Sequence, residues 1–444
     1  MATGWPIPFP MDLFGEFRQY NESRLLLDDM IIFEREKLGE GSFAAVHVAR
    51  MIGMEPAAAK VFRYQDKDER YTMTCSELRI VQKLRHPNIA ACYGAMQCEQ
   101  WPVIFFERVE GVTLRTMYMI AHADRRFLQE AKLRPIFQQL FVALHYLQTA
   151  KIVHADIKYD NVMVTDDGVV KLIDFGCAQD ISRGKATRAR PGMYTYPPEI
   201  NIEGMGGYDH KADMFLAGGL LYFLLTYTQP FGDFAQIPAE DHAKRLLEGP
   251  NRQRPQYQTL SKDVRRFIEA LLAYRPESRP DAAEALQMDW ITRAPDYRPL
   301  ALIDYEQEAT LQCAQDLNAD VISKMARYFH VDGDLIATSI LEDSNCWQMI
   351  VYRARLHEME VLTPRPSAST AERLRRVRQF ATRASTDEGL GSSLETNSAA
   401  TAASTNSAPA SATTTAAAAS VTSTSAPQKQ QETRSRRRRR CIIC

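Results

Sequence analysis

The stretch from His154 to Gly176, HADIKYDNVMVTDDGVVKLIDFG, constrains this chain more than any other. Two short apolar runs, 162–164 and 169–173, flank Asp166-Asp167-Gly168, and residues of that kind turn one β-segment back onto the next. Asp156, Lys158 and Asn161 lie on one loop before the first run, and Asp174 follows the second. The turn therefore fixes how far apart the two sets of polar groups stand. Asn161 and Asp174 are oxygen donors of the type that suits Mg²⁺. Asp156 is a carboxylate able to receive a hydroxyl proton. Phosphoryl transfer requires both functions side by side.

A second constellation lies upstream. Gly39-Glu40-Gly41-Ser42-Phe43-Ala44-Ala45-Val46 follows a β pattern, and its small residues let a hairpin close over phosphates with its N–H groups turned inward. Lys60 ends the apolar run AAAK, and Glu77 lies on a helical pattern over 68–85 with Leu78, Val81 and Leu84 on one side. His86-Pro87-Asn88 follows that pattern. Alone, each would read as an ordinary surface feature; their order is what carries information.

Together these motifs resemble the eukaryotic protein kinase superfamily, over about residues 30–293. The resemblance implies an α+β, bilobal fold: a small β-rich lobe, then a large α-helical lobe, joined near Glu107–Gly111. It implies ATP and Mg²⁺ as cofactors. Lys60 would hold the nucleotide phosphates and Glu77 would steady Lys60. Asp156 would be the catalytic base, Lys158 would neutralise the transferred group, and Asn161 and Asp174 would hold the metal. Gly39, Glu40, Gly41, Ser42 and Phe43 would cover the phosphates. Val46, Ala58 and Met163 would sandwich the purine, with Phe106 as a bulky gatekeeper and backbone groups of Glu107 and Val109 on the adenine edge. Asp213 would brace the catalytic loop, and Glu199 of Pro197-Pro198-Glu199 would pair with Arg279. Lys158 in this position is typical of Ser/Thr-directed members, so protein hydroxyls are the expected substrates. The competing reading is an inactive pseudokinase scaffold.

The departures are informative. Ala155 replaces the Arg that in this superfamily reads a phosphate on the activation segment. Ser182 and Thr187 are therefore not expected to be obligatory switches. Ala44 replaces a third glycine, and Met193 stands where Thr is usual.

Around this region the chain has 444 residues and a net charge of −1, which argues against a general affinity for nucleic acid. Its cysteines (Cys75, Cys92, Cys98, Cys177, Cys313, Cys346, Cys441 and Cys444) lack paired metal-site spacing, so a reducing compartment is expected. Leu216–Leu225 is too short to span a bilayer and suits a buried helix. Residues 1–28 read as an extension and 30–293 as the catalytic domain. Three short helices fit 303–360. They either form a segment similar to the ubiquitin-associated-like domain of AMP-activated-kinase relatives, or pack as an extension on the large lobe. Residues 364–435 read as a Ser/Thr/Ala-rich tether, within which 371–384 is a solvated charged stretch or an amphipathic helix. Over 436–444 the unbroken Arg436–Arg440 precedes Cys441-Ile442-Ile443-Cys444, a CaaX-type pattern. A lipid on Cys441 and an anionic membrane surface under the arginines would place the chain at the cytoplasmic face of a membrane, the alternative being a nuclear-localisation run.

Overall fold

The computed structural model describes residues 26–360, apart from 28–30, 42–43, 52–55, 64–66, 99–100, 188–196, 202–206, 235, 306–315, 330 and 343–346. Ser42, Phe43, Met193 and everything beyond Glu360, including Arg436–Arg440 and Cys441, lie outside the described residues.

The small lobe is one antiparallel sheet of six strands: β1 (Leu26–Leu27), β2 (Ile31–Glu40), β3 (Ala44–Met51), β4 (Ala57–Phe62), β5 (Cys92–Cys98) and β6 (Trp101–Glu107). Their spatial order is β1-β2-β3-β4-β6-β5. Helix α1 (Lys67–Val81) connects β4 to β5. It stops short of the expected 85. Lys83 and Leu84 close tight turns onto the Ile80 and Val81 carbonyls, and Pro87 forces its predecessor out of helical geometry.

Register assigns the two faces of this sheet. Ala57, Ala59 and Val61 of β4 stand opposite Glu107, Phe105 and Val103 of β6, while Ala58 and Lys60 stand opposite Phe106 and Ile104. Side chains alternate between faces along a strand. The Ala58–Lys60 face looks into the cleft, and the Ala57–Ala59–Val61 face looks outward.

That outward face is covered. Helices α11 (Ala319–Phe329), α12 (Gly333–Glu342) and α13 (Trp347–Glu360) share one apolar core with Ala49, Ala57, Ala59, Val61, Tyr93, Val103 and Phe105. Val321, Met325, Ile336, Ile340, Ile350 and Tyr352 supply the helical side of it. The three helices are as expected; their seat is not. They pack on the small lobe, and the expectation of an extension on the large lobe is corrected. Alanines on β3 and β4 let the helices come close, and a Cβ on Gly94 of β5 would lie 2.9 Å from Ile350 Cγ1.

The large lobe follows in chain order as β7 (Gly111–Thr113), α2 (Leu114–Ala123), α3 (Glu130–Thr149), β8 (Ile152–Val153), β9 (Val162–Thr165), β10 (Val170–Leu172), β11 (Gln179–Asp180), α4 (Pro198–Asn201), α5 (Lys211–Thr226), α6 (Ala239–Glu248), α7 (Pro255–Thr259), α8 (Lys262–Leu271), α9 (Ala282–Leu286) and α10 (Asp289–Thr292). Helix α5 is buried along nearly its whole length, as its all-round apolar sequence requires. A Cβ on its Gly218 would stand 2.7 Å from Leu271 Cβ, so glycine sets how closely α8 approaches. Strand β9 pairs with β10 across the expected turn, where Gly168 takes a φ of 86°. No helix among the described residues is long and apolar enough to cross a membrane.

His86 joins the two lobes' packing against Tyr146 of α3, with ring centroids 4.9 Å apart. Burial lowers its imidazole to about 4, so the folded state holds it neutral. The unfolded chain takes up a proton as pH falls through about 6.5, and the folded chain does not. Its stabilising contribution is therefore complete above that pH and is lost as pH falls toward about 4. Urea midpoints recorded between pH 7.5 and 4.5 should show a smaller loss in His86→Asn than in the wild type, by up to about 3 kcal/mol.

Candidate active site

Lys60, at the cleft-facing end of β4, is the meeting point of the small lobe and the catalytic loops. Its Nζ lies 2.7 Å from each carboxylate oxygen of Glu77 on α1 and 2.7 Å from Asp174 Oδ1 after β10. The Glu77 side chain is 1 % exposed and that of Asp174 is 44 % exposed. Burial acts to neutralise Lys60, but Asp174 and Glu77 outweigh it and hold the ammonium above its ordinary range. Desolvation likewise acts to raise the Asp174 carboxyl, and the Lys60 charge outweighs it and holds that carboxyl well below the usual range. Gly176 donates its N–H to Asp174 Oδ1 at 3.2 Å. A Cβ there would stand 3.2 Å from Asp174 Oδ1, tighter than an ordinary contact, so a side chain at this position would press on the carboxylate that pairs with Lys60.

The loop between β8 and β9 is suspended from α5. Asp213 accepts the backbone N–H groups of His154 and Ala155, both at 2.8 Å. Burial pushes its carboxyl up to about 7 against the pull of those two donors. On the same loop Asp156 Oδ2 accepts from Asn161 Nδ2 at 2.8 Å and stands 3.0 Å from Lys158 Nζ. Burial pushes the Asp156 carboxyl up, and Lys158 opposes it. Asn161 Nδ2 also donates to the Asp156 carbonyl at 2.9 Å. With its amide nitrogen so engaged, Oδ1 is the atom of Asn161 that can serve as a ligand. The Ile173 N–H donates to the Asn161 carbonyl at 2.9 Å, tying the two proposed metal-holding segments together.

Ala155 and Asp174 adopt positive φ values of 60° and 61°, in the left-handed region that non-glycine residues rarely enter. Each costs on the order of 1–3 kcal/mol, and such positions persist where surrounding contacts over-determine them. Here the Asp213 and Lys60 contacts do so.

Asn161 and Asp174 suit an Mg²⁺ that also takes water and phosphate oxygens, because that ion is commonly held by one or two protein oxygens. Among the described residues no group of three His, Cys, Asp or Glu could hold a metal by itself.

On the adenine side, Val46 and Ala58 face the cleft half-buried, with Val46 opposite Lys60 and Ala58 opposite Phe106. Met163 on β9 lies half-buried between Thr113 and Lys171. Val109 follows β6 in the connector. Gly39 and Glu40 end β2, and the Glu40 carboxylate pairs with Lys37 and Arg63. Gly41 donates its N–H to the Ala44 carbonyl at 2.8 Å, closing the hairpin. Glu107 differs from its expected simple role. Its N–H is donated to the Ala91 carbonyl at 2.8 Å, so of its two backbone groups only the carbonyl can meet a purine edge. Its carboxylate accepts from Lys171 Nζ at 2.9 Å and from the Ala91 N–H at 3.1 Å, and lies 3.4 Å from His357 Nε2. Burial acts to raise it, but the His357 and Lys171 contacts lower it to about 2.

Elsewhere in the large lobe Arg279 makes a fork-to-fork pair with Glu199, at 2.6 and 2.8 Å, with both side chains buried. It also donates to the carbonyls of Ala273, Lys211 and Tyr274. Every polar group of the guanidinium is thus occupied, the condition for a buried charge. Ala155 packs with Val153, Ala186, Tyr208 and Ala212. Ser182 and Thr187 are exposed on the segment that follows β11.

Residues 33–291 match the protein kinase domain family. This chain belongs to that family. Its kinase domain is 32% identical over 266 residues to sperm motility kinase 2B of Mus musculus, covering 58% of this chain and 51% of the relative. It is 31% identical over 273 residues to CBL-interacting protein kinase 25 of Oryza sativa subsp. japonica, covering 58% and 50%. Against the calcium/calmodulin-dependent protein kinase type II of Caenorhabditis elegans it is 28% identical over 298 residues, covering 64% and 39%. The chain spans about half the length, or less, of these curated relatives.

Sequence reasoning brought Lys60, Glu77, Asp156, Lys158, Asn161 and Asp174 to the cleft, and the kinase fold places them there. It missed Lys171 and His357 beside Glu107. A lysine inside the apolar run VVKLI is the signal that could have been noticed, since such a charge needs a partner when buried.

Glu77→Gln removes one charge from the Lys60 triad. The dissociation constant for Mg·ATP, measured by titration calorimetry, should rise about tenfold, equivalent to about 1.4 kcal/mol.

Proposed function

We propose that this chain is an ATP- and Mg²⁺-dependent protein serine/threonine kinase. The observation that carries the proposal is the convergence of the Lys60–Glu77–Asp174 triad with the Asp156–Lys158–Asn161 loop in one cleft. Mg²⁺ bound with the nucleotide supplies neutralisation of phosphate charge. Lys60 steers the phosphates, kept in position by Glu77. Asn161 Oδ1 and the Asp174 carboxylate are the oxygen donors offered to the metal. Asp156 orients a substrate hydroxyl and takes its proton; Asn161 and Lys158 fix its direction and favour its ionised form. Lys158 then faces the charge that develops on the transferred group. The Ser/Thr preference is supported by Lys158 and by the relatives found.

Control by a phosphate on the activation segment is not part of this reading. Ala155 itself offers no cation to such a phosphate, which supports regulation by other means. The three helices on the small lobe fit a ubiquitin-associated-like segment in number and length.

The tail completes the proposal. Prenylation of Cys441 beside Arg436–Arg440 would hold the kinase at the cytoplasmic face of a membrane. One lipid chain binds marginally, and each basic residue over anionic lipid adds about 1 kcal/mol.

Purified wild-type chain should transfer ³²P from ATP to a mixed protein substrate on Ser and Thr. Asp156→Asn should keep Mg·ATP binding but lose about 10²–10⁴-fold in rate. A chain that binds Mg·ATP yet transfers no more phosphate than Asp156→Asn would be the pseudokinase instead. The double variant Ser182→Ala/Thr187→Ala should retain at least half of the wild-type rate. In fractionated cells Cys441→Ser should move the protein from the membrane pellet to the supernatant; continued pelleting would rule out the lipid anchor.

A further inference from the structure

The covering helices reach the nucleotide site through one carboxylate. Glu107 ends β6, on the outward face of the sheet by its register with Ala57. Its backbone belongs to the connector where a purine would sit, while its side chain points away from the cleft, beneath α13. Three groups hold it there: Lys171 of β10, the Ala91 N–H that precedes β5, and His357 of α13. Lys171 comes from the large lobe's small sheet, Ala91 from the small lobe, and His357 from outside the matched kinase domain. The clamp therefore ties the connector to both lobes and to the covering helices.

The seat of His357 is built. Tyr93 of β5 faces it, with ring centroids 5.9 Å apart, and both Tyr93 and Glu107 flank the apolar core that α13 shares with the sheet. Gly94 lies directly beneath Ile350, so α13 rests against β5 without a side chain between them at that point. Tyr352 accepts the Asn318 N–H at 2.8 Å, fixing α13 to the start of the covering unit. His357 is 21 % exposed on its side chain and stands on the last turn of the packed part of the helix.

We propose that His357 is a positioning residue for nucleotide binding: by holding the Glu107 side chain it fixes the connector backbone, so that α13 is a working part of the ATP site. This rests on the kinase reading above. Contacts to the purine are made equally in the ground state and the transition state, because the adenine takes no part in bond-making. Loosening them should therefore raise KM for ATP and leave kcat unchanged.

The test uses the full chain. Mg·ATP affinity is measured by titration calorimetry, and KM and kcat by phosphate transfer to a mixed protein substrate. His357→Ala should weaken Mg·ATP about three- to tenfold, raise KM for ATP in proportion and leave kcat within twofold. His357→Gln keeps an N–H donor and should return both to within twofold of wild type. In a Glu107→Gln background, His357→Ala should add less than a twofold effect, because the group it acts through is already altered. The proposal is overturned if His357→Ala binds Mg·ATP as wild type does, or if it weakens binding equally in both backgrounds, the mark of a general loss of packing. It is also overturned if kcat falls while KM is unmoved. A wild-type chain that binds no Mg·ATP would defeat the kinase reading itself; wild-type binding with an unaffected His357→Ala would defeat only the role of His357.

Discussion

One ammonium group sets the geometry of the cleft. Lys60 is carried by a strand, Glu77 by a helix and Asp174 by a loop of the other lobe, and the three meet within hydrogen-bond distance. Nothing local to any of these segments requires the others. Once Lys60 and Glu77 are withdrawn from water, though, each becomes costly to leave alone. The lobes are thereby held in one mutual arrangement, and the Ile173 N–H to Asn161 carbonyl bond ties the segment before Asp174 to the loop that carries Asp156. The same logic recurs at Arg279 and Glu199, where a fully occupied buried pair fixes the end of the activation segment against the large lobe.

The motifs around Lys60, Glu77, Asp156, Asn161 and Asp174 could be read from the chain because phosphate and metal chemistry tolerates few residue types at those places. The two-lobe division was legible for a similar reason: alternating apolar residues and turn signals give way to long helical patterns near Gly111. The seat of α11–α13 was not. Their periodicity predicts helices, but a helix pattern says only that an apolar face exists, never which surface receives it. The complementary signal sat in the strands. AAAKVF and PVIFFE are apolar at both odd and even positions, so both faces of the sheet had to be covered. The Glu107 network was hidden more thoroughly, since Lys171 and His357 are far apart in the chain and neither carries a motif.

Ala155 shows how a single missing side chain is absorbed. Its backbone still donates to Asp213, so the loop keeps its suspension. Its side chain joins the apolar cluster of Val153, Ala186, Tyr208 and Ala212. The positive φ at this residue persists without an arginine to account for it. Backbone geometry and side-chain identity are separable at this position, since the suspension of the loop from Asp213 uses only the Ala155 N–H.

The shared core of sheet and helices also bears on where this protein can be cut. Sequence similarity draws a boundary at residue 291. Packing draws another, since Ala57, Ala59, Val61, Val103 and Phe105 are 4% exposed or less and share their core with α11–α13. A fragment ending after α10 would present that whole sheet face to water as a contiguous greasy surface, the kind that sticks to its own copies. A piece of this chain that keeps the sheet face covered accordingly runs on through α13, past the end of the matched kinase domain.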